Sequence, residues 1–349
     1  MSVITRVAGT GTLGNGGDGG PATAAELSFP LGVAVTADGG FLIADADNHV
    51  VRKVSLAGVI TRVAGTGNLG NSLDDGPATA ADLGSPCGVA VTADGGFLFA
   101  DSLNHVVWKV SSAGVITRVA GTGNLVISGD DDPPTEEFGG DGGPSTAADF
   151  ASPCGVAVTA DGGFLIADAG NNVVRKVSSA GVITLVAGTG NPGDRGDDGP
   201  ATAADLASPF GVAVTADGGV LIADASNNVV RKVSSAGVIT RVAGTGTQGN
   251  SGDDGPATAA QLNEPGGVAV TADGGFLIAD AGNHVVRKVS SAGVITRVAG
   301  TGTQGNSGDD GPATAAELGS PVGVAVTADG GFLIVDGGNN VVRKVARAG

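Results

Sequence analysis

The heptapeptide VITRVAG, or its variant VITLVAG, begins at residues 3, 59, 115, 182, 238 and 294 of this 349-residue chain. Successive copies stand 56 residues apart, except the third and fourth, which stand 67 apart. One unit therefore recurs six times, as 3–58, 59–114, 115–181, 182–237, 238–293 and 294–349, and fills the chain. The last two units differ at nine of 56 positions, a similarity that marks recent duplication or deliberate construction. A recurring unit this short buries its apolar face only against its neighbours, so the repeat must be read before any local motif.

Each unit reads as four short strands. GVAVTAD runs into a Gly-Gly turn, FLIADA follows, VVRKVS comes after GNH or GNN, and VITRVAG comes after AG. Enrichment in β-branched residues between closely spaced turn residues favours strands over helices. The connection to the next unit contains GPATAAEL or a close variant. There Thr precedes an acidic or amide residue by three positions (Thr23 and Glu26, Thr79 and Asp82, Thr258 and Gln261), which predicts a capping box and one or two helical turns. Four antiparallel strands repeated six times predict an all-β fold, a closed six-bladed β-propeller. The chain opens on the fourth-strand sequence and ends after the third, so the N-terminal strand is expected to complete the last blade and close the ring. An open ring would leave two strand edges unpaired.

Composition narrows the partners. A formal charge of −17 repels nucleic-acid phosphates and anionic membranes, so neither is expected, and a monomer is. Aromatics are 3% with no Tyr, so Val, Ile, Leu and Ala must build the core. MSVITRVAGTG lacks the charged start and apolar run of a signal peptide, and no apolar run reaches membrane-spanning length; as written, the chain reads as cytoplasmic. Two cysteines do not make a disulfide framework.

The stretch GVAVTADGGFLIADAGNHVVRKV (267–289) resembles the NHL repeat, named for an Asn-His-Leu stretch; NHV stands at 48–50, 104–106 and 283–285. GDGGPATAAELSFP (17–30) is similar to the connection common in large bacterial NHL-repeat proteins. The resemblance covers essentially the whole chain and implies a six-bladed propeller. It implies little about function, since relatives include protein-binding modules, sensor domains, adhesion ectodomains and a few lyases. The peptide-amidating lyases use histidine-bound zinc and a catalytic tyrosine. This chain has no Tyr, and no His outside one repeat position.

That position holds His49, His105 and His284 in three units and Asn172, Asn228 and Asn340 in the others. Three histidines in blades 1, 2 and 5 cannot converge on one metal ion. They are expected to cap the turn between the second and third strands, with Asp45, Asp101, Asp168, Asp224, Asp280 and Asp336, four residues earlier, accepting hydrogen bonds from it. GTGTQG at 300–305 and its sister copies match G-x-G-x-x-G, but an acidic loop follows where the dinucleotide fingerprint needs a helix. Those loops are weak Ca²⁺ candidates through Asp74, Asp75, Asp197, Asp198, Asp253, Asp254, Asp309 and Asp310; the plainer reading is turn-capping and solubility.

Specialised function is expected where the copies differ. The third unit carries eleven extra residues within 125–140, with Asp130, Asp131, Asp132, Glu136 and Glu137, a contact site or a tolerated solvated loop. The residue before the first-strand Gly is Leu31, Cys87, Cys154, Phe210, Gly266 or Val322. The first strand of a blade lies nearest the axis, so these side chains are expected to ring one mouth of the channel, binding a small ligand or peptide end, or plugging it. Cys87 and Cys154 are expected to be two buried thiols rather than a disulfide. Trp108 replaces the third-strand arginine and, if exposed, would anchor a partner. The expected function is a non-catalytic scaffold or binding module for an unknown protein or small-molecule ligand. The alternative is a propeller lyase or hydrolase with its site at the channel mouth.

Overall fold

A computed structural model describes residues 2–71, 74–124 and 139–347. The calcium candidates lie within these spans, whereas Asp130, Asp131, Asp132, Glu136 and Glu137 lie outside the described residues. Six antiparallel blades stand in a ring. Blade 1 runs outward from the axis as Pro30–Val35, Phe41–Asp45, Val50–Val54 and Ile60–Ala64. Blades 2 to 5 repeat that order from Pro86, Pro153, Pro209 and Pro265. Blade 6 takes Pro321–Val326, Phe332–Asp336 and Val341–Val345 from the C-terminal end, and Ile4–Ala8 from the N-terminal end. Ile4 pairs with Val345 and Thr5 with Lys344, so the first strand closes the ring as the repeat offset predicts.

Each blade alone is a thin four-stranded sheet; the core lies in the seams. Six separate apolar clusters fill six seams. Between blades 4 and 5, Leu221, Ala223 and Val230 meet Val268, Phe276, Ile278 and Ile295, most of them with no exposed surface. Aliphatic side chains of moderate size suit this role, because neighbouring sheets interdigitate closely.

The outer edges are also covered. Pro21 bridges Val59, Pro312 bridges Val3, and Gly76–Pro77 adds a short pairing beside Val115–Ala120. Proline cannot donate to a further strand, so the sheet stops there. The helical turn in each connection is a single three-residue 3-10 turn, such as Ala22–Ala24, and the capping box does not form. The N-cap is Pro21, Pro77 or Pro256, without a side-chain cap hydrogen bond, and Thr23, Thr79 and Thr258 lie inside the turn. The residue after it serves the neighbouring loop instead: Asp205 accepts from the Thr189 hydroxyl (2.6 Å), and Gln261 from the Ser251 hydroxyl (2.9 Å).

The blade connections and the turns between second and third strands share one face, called here the upper face. The opposite face carries the two hairpin turns of each blade, such as Thr36–Gly40 and Ser55–Gly58.

Candidate functional site

The residues after the conserved-position prolines do gather at the axis. Leu31, Cys87, Cys154, Phe210 and Val322 line the channel; Gly266 does not, and blade 5 contributes Gly267 and Val268. The channel is narrow because a glycine follows in every blade. A Cβ on Gly211 would lie 2.5 Å from the Gly266 carbonyl oxygen, and one on Gly323 2.6 Å from that of Leu31. The free space is about 70 Å³, well below the roughly 300 Å³ at which small-molecule sites begin. Its interior is thus plugged, while Leu31, Phe210 and Val322, half-buried, point apolar surface into the upper mouth.

Cys87 and Cys154 are joined by a disulfide across blades 2 and 3, with Cα atoms 5.1 Å apart, which corrects the expectation of free thiols. The sequence could not give this distance. It follows from the close approach of inner strands that the glycines allow.

Trp108 is likewise not an exposed anchor; it is buried at 3% exposure. The five arginines at its repeat position, Arg52, Arg175, Arg231, Arg287 and Arg343, are fully buried. Arg231 shows what they do. Nη1 lies 3.6 Å from Asp224 Oδ2 and donates to the Asp205 carbonyl (2.6 Å), Nη2 donates to Asp194 Oδ1 (2.9 Å), and Nε lies 3.3 Å from Asp197. In blade 2 the Trp108 indole N–H donates to Asp101 Oδ2 at 3.2 Å, in place of the guanidinium. An arginine that exchanges with tryptophan is a signal of burial that sequence reading missed.

The six aspartates are anchors, as expected. Asp224 accepts from the Ala207 N–H (2.7 Å) and the Asn227 amide (2.9 Å). Burial pushes Asp168 up to about 7 and Asp224 to about 6, against the pull of these hydrogen bonds and of arginine. The histidine or asparagine after the turn does more than cap it. Each sits in left-handed backbone (φ 55–56°) and reaches the next blade. His105 Nδ1 accepts from the Ser152 N–H, His284 Nδ1 from Ser320, Asn172 from Ser208, Asn228 from Glu264, and Asn340 from Phe29 across the closing seam, at 2.8–3.1 Å. His49 Nδ1 meets the Gly84 carbonyl. The position is a ring of inter-blade latches.

The calcium candidates do not converge, and among the described residues no three His, Cys, Asp or Glu side chains gather to hold a metal. Asp197, Asp253 and Asp309 lie 3.2–3.3 Å from the buried Arg231, Arg287 and Arg343. In blade 2, where Trp108 stands, Asp74 accepts instead from the Arg118 N–H (2.8 Å), and Asp75 from the Thr117 hydroxyl (3.1 Å). Asp198, Asp254 and Asp310 occupy left-handed turns (φ 63–65°), their N–H groups bound to outer-strand carbonyls.

Two features escaped the sequence reading. Open grooves of about 370–970 Å³ lie at four seams on the face opposite the latches. They are products of the repeat, rimmed by Lys–Asp pairs such as Lys232–Asp217 (2.6 Å). The second feature is asymmetry in exposed apolar side chains. Among the described residues, six are the valines that start each outer strand; the rest are Leu13, Phe29, Leu56, Leu69 and Leu103, which belong to the first two units. Leu56 lies in a hairpin turn of the opposite face. The other four lie on the upper face, 45–64% exposed. Sister copies carry Ser or Glu at the Phe29 position, Asp, Gly or Ser at that of Leu103, and Pro or Gln at that of Leu13 and Leu69 in the last three units.

A profile of the NHL repeat matches residues 27–54 and 262–289, the spans that hold the Asp, His and Arg stations of blades 1 and 5. The chloroplastic protein SUPPRESSOR OF QUENCHING 1 of Arabidopsis thaliana is 29% identical over 283 residues, 76% of this chain and 25% of that protein. NHL repeat-containing protein 2 of Bos taurus is 29% identical over 297 residues, 75% of this chain and 39% of that protein. The chain thus spans well under half the length of these relatives. A Bacteroides thetaiotaomicron protein of unknown function superposes with a TM-score of 0.72 at 20% identity, covering 99% of this chain and 76% of that one. Virginiamycin B lyase from Staphylococcus aureus superposes at 0.56 and 13% identity over the whole of both chains. Those two likenesses are of fold. With the repeat profile falling on the very stations that build and latch blades 1 and 5, the chain carries NHL repeats and is similar to NHL repeat-containing protein 2 over 75% of its length.

Proposed function

We propose that the protein is a non-catalytic binding module whose contact surface is the upper face around the channel mouth. The observation that supports this most is the placement of the departures from the repeat. Leu13, Phe29, Leu69 and Leu103 expose large apolar side chains on one face, and at the Phe29 and Leu103 positions every sister blade is polar or carries glycine. Unburied apolar surface gathered on one side of a rigid scaffold is what a binding site offers. The alternative, a lyase or hydrolase at the channel mouth, needs titratable or metal-binding groups converging there, and the mouth positions carry Leu, Phe, Val and a disulfide. That bond favours an oxidising compartment.

The test uses residues that sister blades already carry, so folding is preserved. A neutral apolar dye such as Nile red is expected to bind the native chain and to lose that binding in the F29S/L103G double variant. Equal dye binding by both proteins sinks the proposal. A stoichiometric transition metal in the purified protein would overturn it in favour of the enzyme.

A further inference from the structure

The apolar side of the upper face has a charge signature that selects its partner. All six lysines lie on the opposite face, each paired with an aspartate at 2.5–2.7 Å. Five of the arginines are buried within the blades. Among the described residues, the exposed charged side chains that frame blades 1 and 2 on the upper face and its rim include Asp18, Asp47, Asp74 and Asp75, while Arg62 and the half-buried Arg118 on the outer strands donate to the Thr66 and Thr122 carbonyls. A face that exposes Leu and Phe side chains together with carboxylates on the same two blades complements a segment that is apolar and of the reverse sign. The net charge of −17 opposes a second copy of this chain, as it opposes nucleic acid or an anionic membrane.

We infer that the upper face over blades 1 and 2 receives a cationic polypeptide segment, in which one or two large apolar side chains are flanked by Lys or Arg. The apolar side chains of the segment rest against Phe29 and Leu103, and its cations face Asp47 and the acidic connections. The inference rests on the binding-module reading and adds the class of partner.

The probes are two short peptides of the same Leu- and Phe-containing sequence, one flanked by Lys and Arg, the other with Glu at each of those places. Calorimetry is expected to show binding of the cationic peptide that weakens with added salt, as screening predicts. Its affinity should fall at least about tenfold in F29S/L103G, the loss typical of a buried apolar anchor. A D47S variant, with the serine blade 4 carries there, should weaken the cationic peptide while leaving Nile red binding unchanged. Equal binding of the two peptides, binding of neither, or unchanged binding in both variants would overturn the inference. So would a dimer in sedimentation that F29S/L103G dissolves, because a second copy would then be the occupant. If the dye still distinguishes native chain from F29S/L103G, the binding-module reading survives that failure; if it does not, both fall.

Discussion

At the scale of single residues, the repeat assigns each buried polar group one task. The aspartate holds the turn, the arginine fastens turn to connection, and the histidine or asparagine reaches the next blade. The latch is the most exchangeable of these, since neutral imidazole and carboxamide both present an acceptor to the same N–H. They differ in titration. Burial pulls the His105 and His284 rings below their ordinary 6.5, with Asp101 pulling His105 back in part. A folded ring harder to protonate than an unfolded one contributes stability above about pH 6.5, and loses it as pH falls through the lower folded value. H105N/H284N should therefore match the native urea midpoint near pH 7.5 and exceed it near pH 5, each lost hydrogen bond contributing about 1 kcal/mol. A native-like drop in the variant between those pH values would show that the rings do not act as latches. The anchoring aspartates were legible in sequence from their fixed place before the turn. The arginines were not, because a basic pair reads as solvated until alternation along VVRKV sets Arg52 on the side of Val50 and Val54.

Among the elements, the connections vary most and the third and fourth strands least. Cys87 and Cys154 stand 67 residues apart, one full repeat, and that repeat is the expanded one. The disulfide closes a loop that contains the extra length, so it restrains the two blades joined by the longest connection. Reduction, or C87V/C154V with the valine blade 6 uses, should lower the unfolding free energy by about 2–4 kcal/mol. Hydrogen exchange should rise first in Pro86–Val91 and Pro153–Val158. Exchange that rises evenly around the ring would mean the bond has no local role. Repeat pattern alone could place both cysteines at the axis but could not bring them together. Their pairing depends on how far glycines let inner strands approach, a tertiary quantity. The capping boxes failed for a related reason: a three-residue turn opened by proline leaves no room for threonine as N-cap.

For the whole molecule, closure by the first strand decides cooperativity. Removing residues 2–8 would strip Val341–Val345 of its outer partner and expose that edge. Such a chain is expected to aggregate. A permuted chain that carries residues 2–8 after its C-terminus should fold with nearly the native melting temperature, because Ala346 already hydrogen-bonds Val3 and the distance to span is short. Failure of the permuted chain to fold would mean that chain order, not closure, is what matters. Ring, blade number and closing strand were legible because spacing and offset survive in any copy. The apolar side of the upper face was not, because it emerges only when exposure separates Phe29 and Leu103 from buried residues of the same kind.

The glycines beside the axis have one more effect. Every seam uses the same apolar contacts and latches, so nothing in a seam specifies how many blades a ring holds. A duplicated unit could insert anywhere along the circumference. The axis is where number is counted, since six inner strands already stand at backbone contact through Gly32, Gly88, Gly155, Gly211, Gly267 and Gly323. A five-membered ring would force those backbones into one another. A seventh blade would part them and widen a channel that is now plugged.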